Sequence, residues 1–200
     1  MNLLTNRNSK IKHTSKINNS RIFVFDLPAY KNKKGKLICP FSKDCVKYCY
    51  AQNGFFTFKS VKNKYEENYK LTGQDNFPDL IKKELDKKKV THLRIHSSGD
   101  FYSKKYLNTW VNLAIKNPKI VFYGYSKSVK MIKEVKKPNN FKFVFSYGGK
   151  QDHLIDPKKD FHSKIFKDKK DLLNFGYIDA SKNDLIAINK TNNKIGLIYH

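Results

Sequence analysis

The sequence predicts one α/β domain whose sheet is mostly parallel and built from βαβ units. Short runs rich in Val, Ile, Phe and Tyr alternate with longer stretches of helical apolar spacing, as right-handed crossover units require. Polar Ser, Gly and Lys clusters follow several of the β-like runs, where a parallel fold gathers its loops on one rim. The 200 residues are 39% hydrophobic, enough for a single core, and no internal repeat is present.

Taken in order, residues 1–20 are rich in Asn, Ser and Lys without an apolar period and read as a basic flexible arm. Residues 21–200 read as a single α/β domain. It opens with a strand over 21–27, a Lys/Gly turn at 31–36 and a loop that holds every cysteine. Helices are expected over 61–71 and 77–88, then a strand over 90–96, a helix over 103–116 and a strand over 119–125. A short helix at 127–136 and a strand at 141–147 follow; within 150–180 the best helix is 168–175. Residues 185–189 and 194–200 read as a closing β-hairpin about 191–193. In 93–96, Leu93 and Ile95 alternate with Arg94 and His96, so one sheet face takes helices and the other presents Arg94 and His96 to the interior.

The thiols carry the sharpest signal. Cys39, Cys45 and Cys49 are the whole cysteine content and share one loop, whereas structural cysteines scatter over several apolar faces. Convergent soft ligands point to an iron–sulfur cluster, most simply a [4Fe-4S] centre with one iron lacking a thiolate. A zinc site of Cys3His type usually shows closer cysteine pairs, and a disulfide would strand one thiol. The start of the chain has no apolar signal core, and no run approaches the ~18 apolar residues of a membrane span, so a soluble cytoplasmic protein is expected. His96, at a strand end, is the first choice for the fourth ligand and His200 the second; a hydrogen-bonded histidine is the plain alternative for each.

Charge adds a partner. The chain holds 41 Lys and Arg against 17 Asp and Glu, a formal +24. An AT-rich coding bias explains lysine over arginine but not the scarcity of acids, and self-repulsion of this size is relieved by a polyanion. The excess is concentrated in residues 1–50 and 101–150. Lys43, Lys47, Lys104, Lys105, Lys127, Lys130, Lys133, Lys136 and Lys137 form the expected phosphate-contact set, with solvated helix faces as the bland account. Tyr48, Tyr50, Phe55, Phe56 and Phe58 crowd the cysteine loop; most should shield it, while exposed rings would stack unpaired bases and favour a single strand.

Four blocks in order give the chain a family likeness: Cys39-Pro40 with Cys45 and Tyr48-Cys49-Tyr50-Ala51, then 94–102, then 123–128, then 195–200. Together they resemble the phage gene-product-88 family over roughly residues 21–200. The order of cysteine loop and Gly-bearing second strand end is also distantly similar to radical S-adenosylmethionine enzymes. That likeness implies a reduced or partial TIM-like barrel and contacts from Ser98, Gly99 and Asp100 to S-adenosylmethionine, should it bind. Asp100 otherwise reads as a helix cap or turn residue, or as a partner of His96. The leading expectation is a phage-type iron–sulfur protein that binds single-stranded DNA or RNA through a basic face around its cluster; a cofactor-cleaving enzyme is the alternative. An electron carrier, with a neutral or acidic docking face, suits +24 poorly.

Overall fold

The computed structural model describes residues 2–189 and 192–199. Its elements run α1 (Ser9–Ile17), β1 (Ile22–Phe25), α2 (Lys59–Leu71), α3 (Phe77–Lys88), β2 (His92–Ile95), α4 (Lys104–Lys116) and β3 (Val121–Ser126). They continue with α5 (Val129–Lys133), β4 (Phe141–Ser146), β5 (His162–Phe166), α6 (Lys169–Asn174), β6 (Ile178–Asp179) and β7 (Lys194–Ile198). The strands form one seven-stranded sheet in the order β1-β2-β3-β4-β5-β7-β6, and every neighbouring pair is parallel. The α/β class and the parallel sheet are therefore as expected.

Strand order from β1 to β5 follows chain order, the winding of a barrel wall, yet β1 and β6 stand at opposite edges without pairing. Among the described residues the sheet is open and closes into no barrel. One face is covered by α3, α4 and α5, whose Phe77, Ile81, Trp110 and Ile132 pack on Phe25, Leu93, Ile95 and Phe122. Trp110 packs on both Phe25 and Phe77, with ring centroids 5.3 and 5.5 Å away. The other face is covered partly by α1, through Ile11 against Ile22, Val24, Tyr123 and Leu185.

Two expectations are corrected. The expected arm is docked over residues 2–20: Leu3 and Leu4 are buried, their amides donate to Glu84, and Thr5 pairs antiparallel with Val24 along the outer edge of β1. The helix α1 that follows is capped by Asn8, whose side chain accepts from the Ile11 amide. Nor do residues 185–189 form half of a hairpin. They lie in a 3-10 turn (Asp184–Ile188), and β7 enters parallel between β5 and β6. Asp184 decides this, because Thr14 Oγ1 accepts from its amide and Arg94 and Lys10 hold its carboxylate, drawing the segment across the sheet. Among the described residues, no helix is long and apolar enough to cross a membrane.

Candidate metal centre and cleft

The cysteine loop is built onto the carboxyl ends of β1 and β4. The Ile38 and Cys39 amides both donate to the Tyr30 carbonyl, at 2.7 and 3.1 Å, which turns the chain back after β1. Farther along, the Lys43 and Cys45 amides donate to the Gly148 carbonyl, and the Lys150 amide donates to Phe41. Gly148 itself is held by Asp152, whose two carboxylate oxygens accept from the Gly148 and Gly149 amides at 2.8 and 2.9 Å. This docking needs glycine. Gly148 has φ +95°, and a Cβ there would lie 2.7 Å from the Tyr48 hydroxyl and 3.3 Å from Cys45 Cβ.

Cys39, Cys45 and Cys49 are half-buried free thiols that line one cleft of about 150 Å3. Its other walls come from the ends of β2, β3, β4, β5 and β7, including Arg94, His96, Tyr125, Ser126, Ser163 and Leu197. Burial pushes the Cys39 thiol up, and the charge of Asp100 adds to the shift. Among the described residues, no three His, Cys, Asp or Glu side chains converge as one metal ion requires. A four-iron cluster makes a different demand, because its thiolates attach to separate irons and stand farther apart than ligands of one ion.

His96 departs from the alternation of β2. Its φ of 71° ends the strand's regular pattern, and the ring lies edge-on to Phe101, 4.9 Å between centroids, with Nε2 2.9 Å from the Tyr106 hydroxyl. Nδ1 is buried without a hydrogen-bond partner, and the residue lines the cleft. Burial, together with the nearby Arg94 charge, lowers its pKa to about 3. His200 lies outside the described residues.

The Ser98-Gly99-Asp100 turn serves the scaffold. Asp26 accepts from the Ser97 amide and hydroxyl and from the Ser98 amide, at 2.6, 2.7 and 2.9 Å, fixing the end of β2 to that of β1. Gly99 has φ +91°, and a Cβ there would come within 2.6 Å of Leu27 Cβ. Asp100 does not cap α4, a role taken by Ser103. It accepts instead from Ser126 Oγ at 2.6 Å and from the Lys127 amide at 2.9 Å, so it joins the ends of β2 and β3.

The lysines divide by position. Lys43 and Lys47 lie in the cysteine loop, Lys104 and Lys105 open α4, and Lys127 and Lys130 flank the start of α5, all at the rim where the strands end. Lys133, Lys136 and Lys137 lie at or beyond the other end of α5. Lys133 pairs with Asp160 at 2.6 Å, and Lys137 donates to the Ile132 and Val135 carbonyls, so these two serve the fold. After the cysteines in the chain, Phe55 is 79% exposed and Phe58 55%, their rings edge to face at 5.5 Å. Tyr50 is 48% exposed, while its hydroxyl donates to the Ser97 carbonyl.

Sequence reasoning missed Asp26, Asp152 and Asp184, the three carboxylates that organise the loops and the cleft floor. Asp26 and Asp184 act on residues far away in the chain, and for Asp152, which holds amides three and four residues before it, only the pair Gly148-Gly149 hinted at a loop needing support.

A gene 88 protein of Mycobacterium phage L5 is 25% identical over 150 residues, which cover 68% of this chain and 59% of that protein. The chain thus spans about three-fifths of the length of the curated relative it matches. No solved structure matches. A family model described as Gene product 88 matches residues 1–199, and the chain belongs to that family.

Proposed function

We propose that this chain holds an iron–sulfur cluster on Cys39, Cys45 and Cys49 and binds single-stranded nucleic acid over the basic, aromatic rim beside it. The observation that carries the reading is the convergence of all three thiols on one cleft, with Phe55 and Phe58 exposed a few residues further along the chain. Thiolate softness and the sharing of one loop by all three cysteines favour an iron–sulfur cluster. His96 Nδ1, buried and without a partner, is the nitrogen donor suited to the fourth iron. When bound, the cluster would supply an electron store and would pin the loop that carries the exposed rings. Rim lysines would meet phosphates while Phe55 and Phe58 stack on bases.

The test is anaerobic reconstitution followed by iron and sulfide analysis. The wild-type chain should take up cluster, and Cys39→Ser, Cys45→Ser and Cys49→Ser should each lose most of it. Full iron and sulfide in any one variant would refute the three-thiolate assignment. His96→Ala should change the cluster's spectrum while the chain stays folded.

A second reading, reductive cleavage of S-adenosylmethionine, is favoured by one observation. The thiols face an open cleft at the carboxyl ends of consecutive parallel strands, where a small molecule could meet the cluster. Production of 5′-deoxyadenosine by the reduced, reconstituted protein at catalytic turnover would establish it in place of the first.

A further inference from the structure

The floor of the cleft, below the thiols, carries a cation whose hydrogen-bonding capacity is only partly used. Arg94 is buried at 8% exposure and sits on β2, pointing to the face away from α3 and α4. Its Nε–H donates to the His96 carbonyl at 3.3 Å and one Nη1–H to Asp184 at 3.0 Å. Guanidinium has five N–H groups, so the remaining ones make no hydrogen bond among the described residues. Tyr125 stacks on the same guanidinium, 5.1 Å from ring centroid to Cζ, and its hydroxyl is buried with no partner. Both residues line the cleft. The Tyr125 hydroxyl is a buried donor that is costly to leave unpaired, and Arg94 lines the same cleft with N–H groups to spare.

The local charge specifies the acceptor. Asp184 faces both Arg94 and Lys10, each at 3.0 Å, which leaves this buried group with one excess positive charge. Asp100 and Lys127 both line the cleft and offset one another in charge, and the Asp100 oxygens already accept from the Ser126 hydroxyl and the Lys127 and Phe101 amides. A monoanion therefore neutralises the floor, while a phosphate dianion would leave it negative. A planar carboxylate also matches the fork of a guanidinium. Ile165 and Leu197 supply an apolar wall for the rest of such a molecule.

We propose that Arg94 and Tyr125 form a subsite for the carboxylate of a small, singly charged organic ligand, with its apolar part against Ile165 and Leu197. The subsite uses none of the cysteines, so it stands or falls apart from the cluster.

Arginine is rare enough here to make the test direct. The chain has only Arg7, Arg21 and Arg94, so the guanidinium signals in a 1H–15N spectrum can be assigned with one variant, Arg94→Lys. Acetate, phenylacetate and inorganic phosphate are titrated into the full chain at constant ionic strength, with chloride as control. Phenylacetate should shift the Arg94 signals saturably and more tightly than acetate, and phosphate should be weaker than both. Tyr125→Phe keeps the ring and loses one donor, so phenylacetate should bind about tenfold more weakly at unchanged melting temperature. No saturable shift at Arg94, a stronger response to phosphate, or an unchanged affinity in Tyr125→Phe would overturn the proposal.

Discussion

The Cys45 amide donates to the carbonyl of Gly148 at 3.1 Å, so the middle cysteine of the loop is positioned from the end of β4, about a hundred residues along the chain. Because Gly148 is at φ +95° with Tyr48 and Cys45 against its α-carbon, Gly148→Ala strains the backbone and pushes on the loop together. Gly35 provides the control, having φ +80° and open space around it. Each alanine should cost roughly 1–3 kcal/mol through the backbone. Only Gly148→Ala should also reduce iron per chain after reconstitution, to less than half of wild type. Equal iron in the two variants would show that the Gly148 contact does not govern the loop.

Asp184 predicts an acid-sensitive term in stability. Burial alone would raise its pKa, but Arg94 and Lys10 outweigh burial and hold it at about 2. A carboxylate depressed in the folded state stabilises above its unfolded pKa, and that contribution disappears as pH falls from about 4 towards 2. The loss should be about 2 kcal/mol over that window. Asp184→Asn removes the titration but leaves Arg94 and Lys10 buried without their counter-ion, costing about 3–5 kcal/mol at neutral pH. Urea unfolding of both proteins between pH 2.5 and 7 should show the wild-type advantage shrinking at the acid end. A constant difference across that range would place the pH dependence elsewhere.

Much of this arrangement was legible in the sequence because it depends on local periodicity. Alternation in 93–95 correctly sends Arg94 to one face and Leu93 and Ile95 to the other, and the shared loop brings the thiols to one cleft. What failed depends on single long-range contacts. The run Leu185-Ile186-Ala187-Ile188 has the composition of a strand, but Asp184 fixes it as a 3-10 turn through Arg94 and Thr14. Residues 1–20 showed too few apolar positions to suggest docking, yet Leu3, Leu4 and Ile11 suffice when Glu84 satisfies the backbone and Asn8 caps α1. His96 defeated the alternation rule because its positive φ turns the ring towards Phe101 and Tyr106.

Phe55 and Phe58 should matter for a single strand and for nothing structural. Both rings are largely exposed, so Phe55→Ala with Phe58→Ala should leave the melting temperature nearly unchanged. Stacking of a base on an aromatic ring contributes about 1–3 kcal/mol, so affinity for a single strand should fall at least tenfold. Affinity for duplex of equal length should hardly move. Anisotropy titrations with labelled oligonucleotides check both, and equal losses for single strand and duplex would reject stacking.

The rim lysines predict where phosphate contact occurs and how salt acts on it. Lys104, Lys105 and Lys130 stand at the starts of α4 and α5, on the thiol side of the sheet. Lys83 and Lys87 lie in the later part of α3 and Lys136 follows α5, towards the opposite end. Changing either trio to Glu alters net charge equally, so a purely global effect would weaken binding equally. Screening limits such global effects to about 10 Å at 0.1 M salt, which makes position decisive. With about −0.7 in the slope of log K against log salt for each phosphate contact on a single strand, losing three contacts should flatten the slope by about 2. The rim trio should therefore bind at least tenfold more weakly at ~100 mM salt with a flatter slope, and the opposite trio should keep the wild-type slope. If the two trios behave alike, or if the wild-type chain shows no micromolar affinity for any DNA or RNA at that salt, the basic rim is not a nucleic-acid surface.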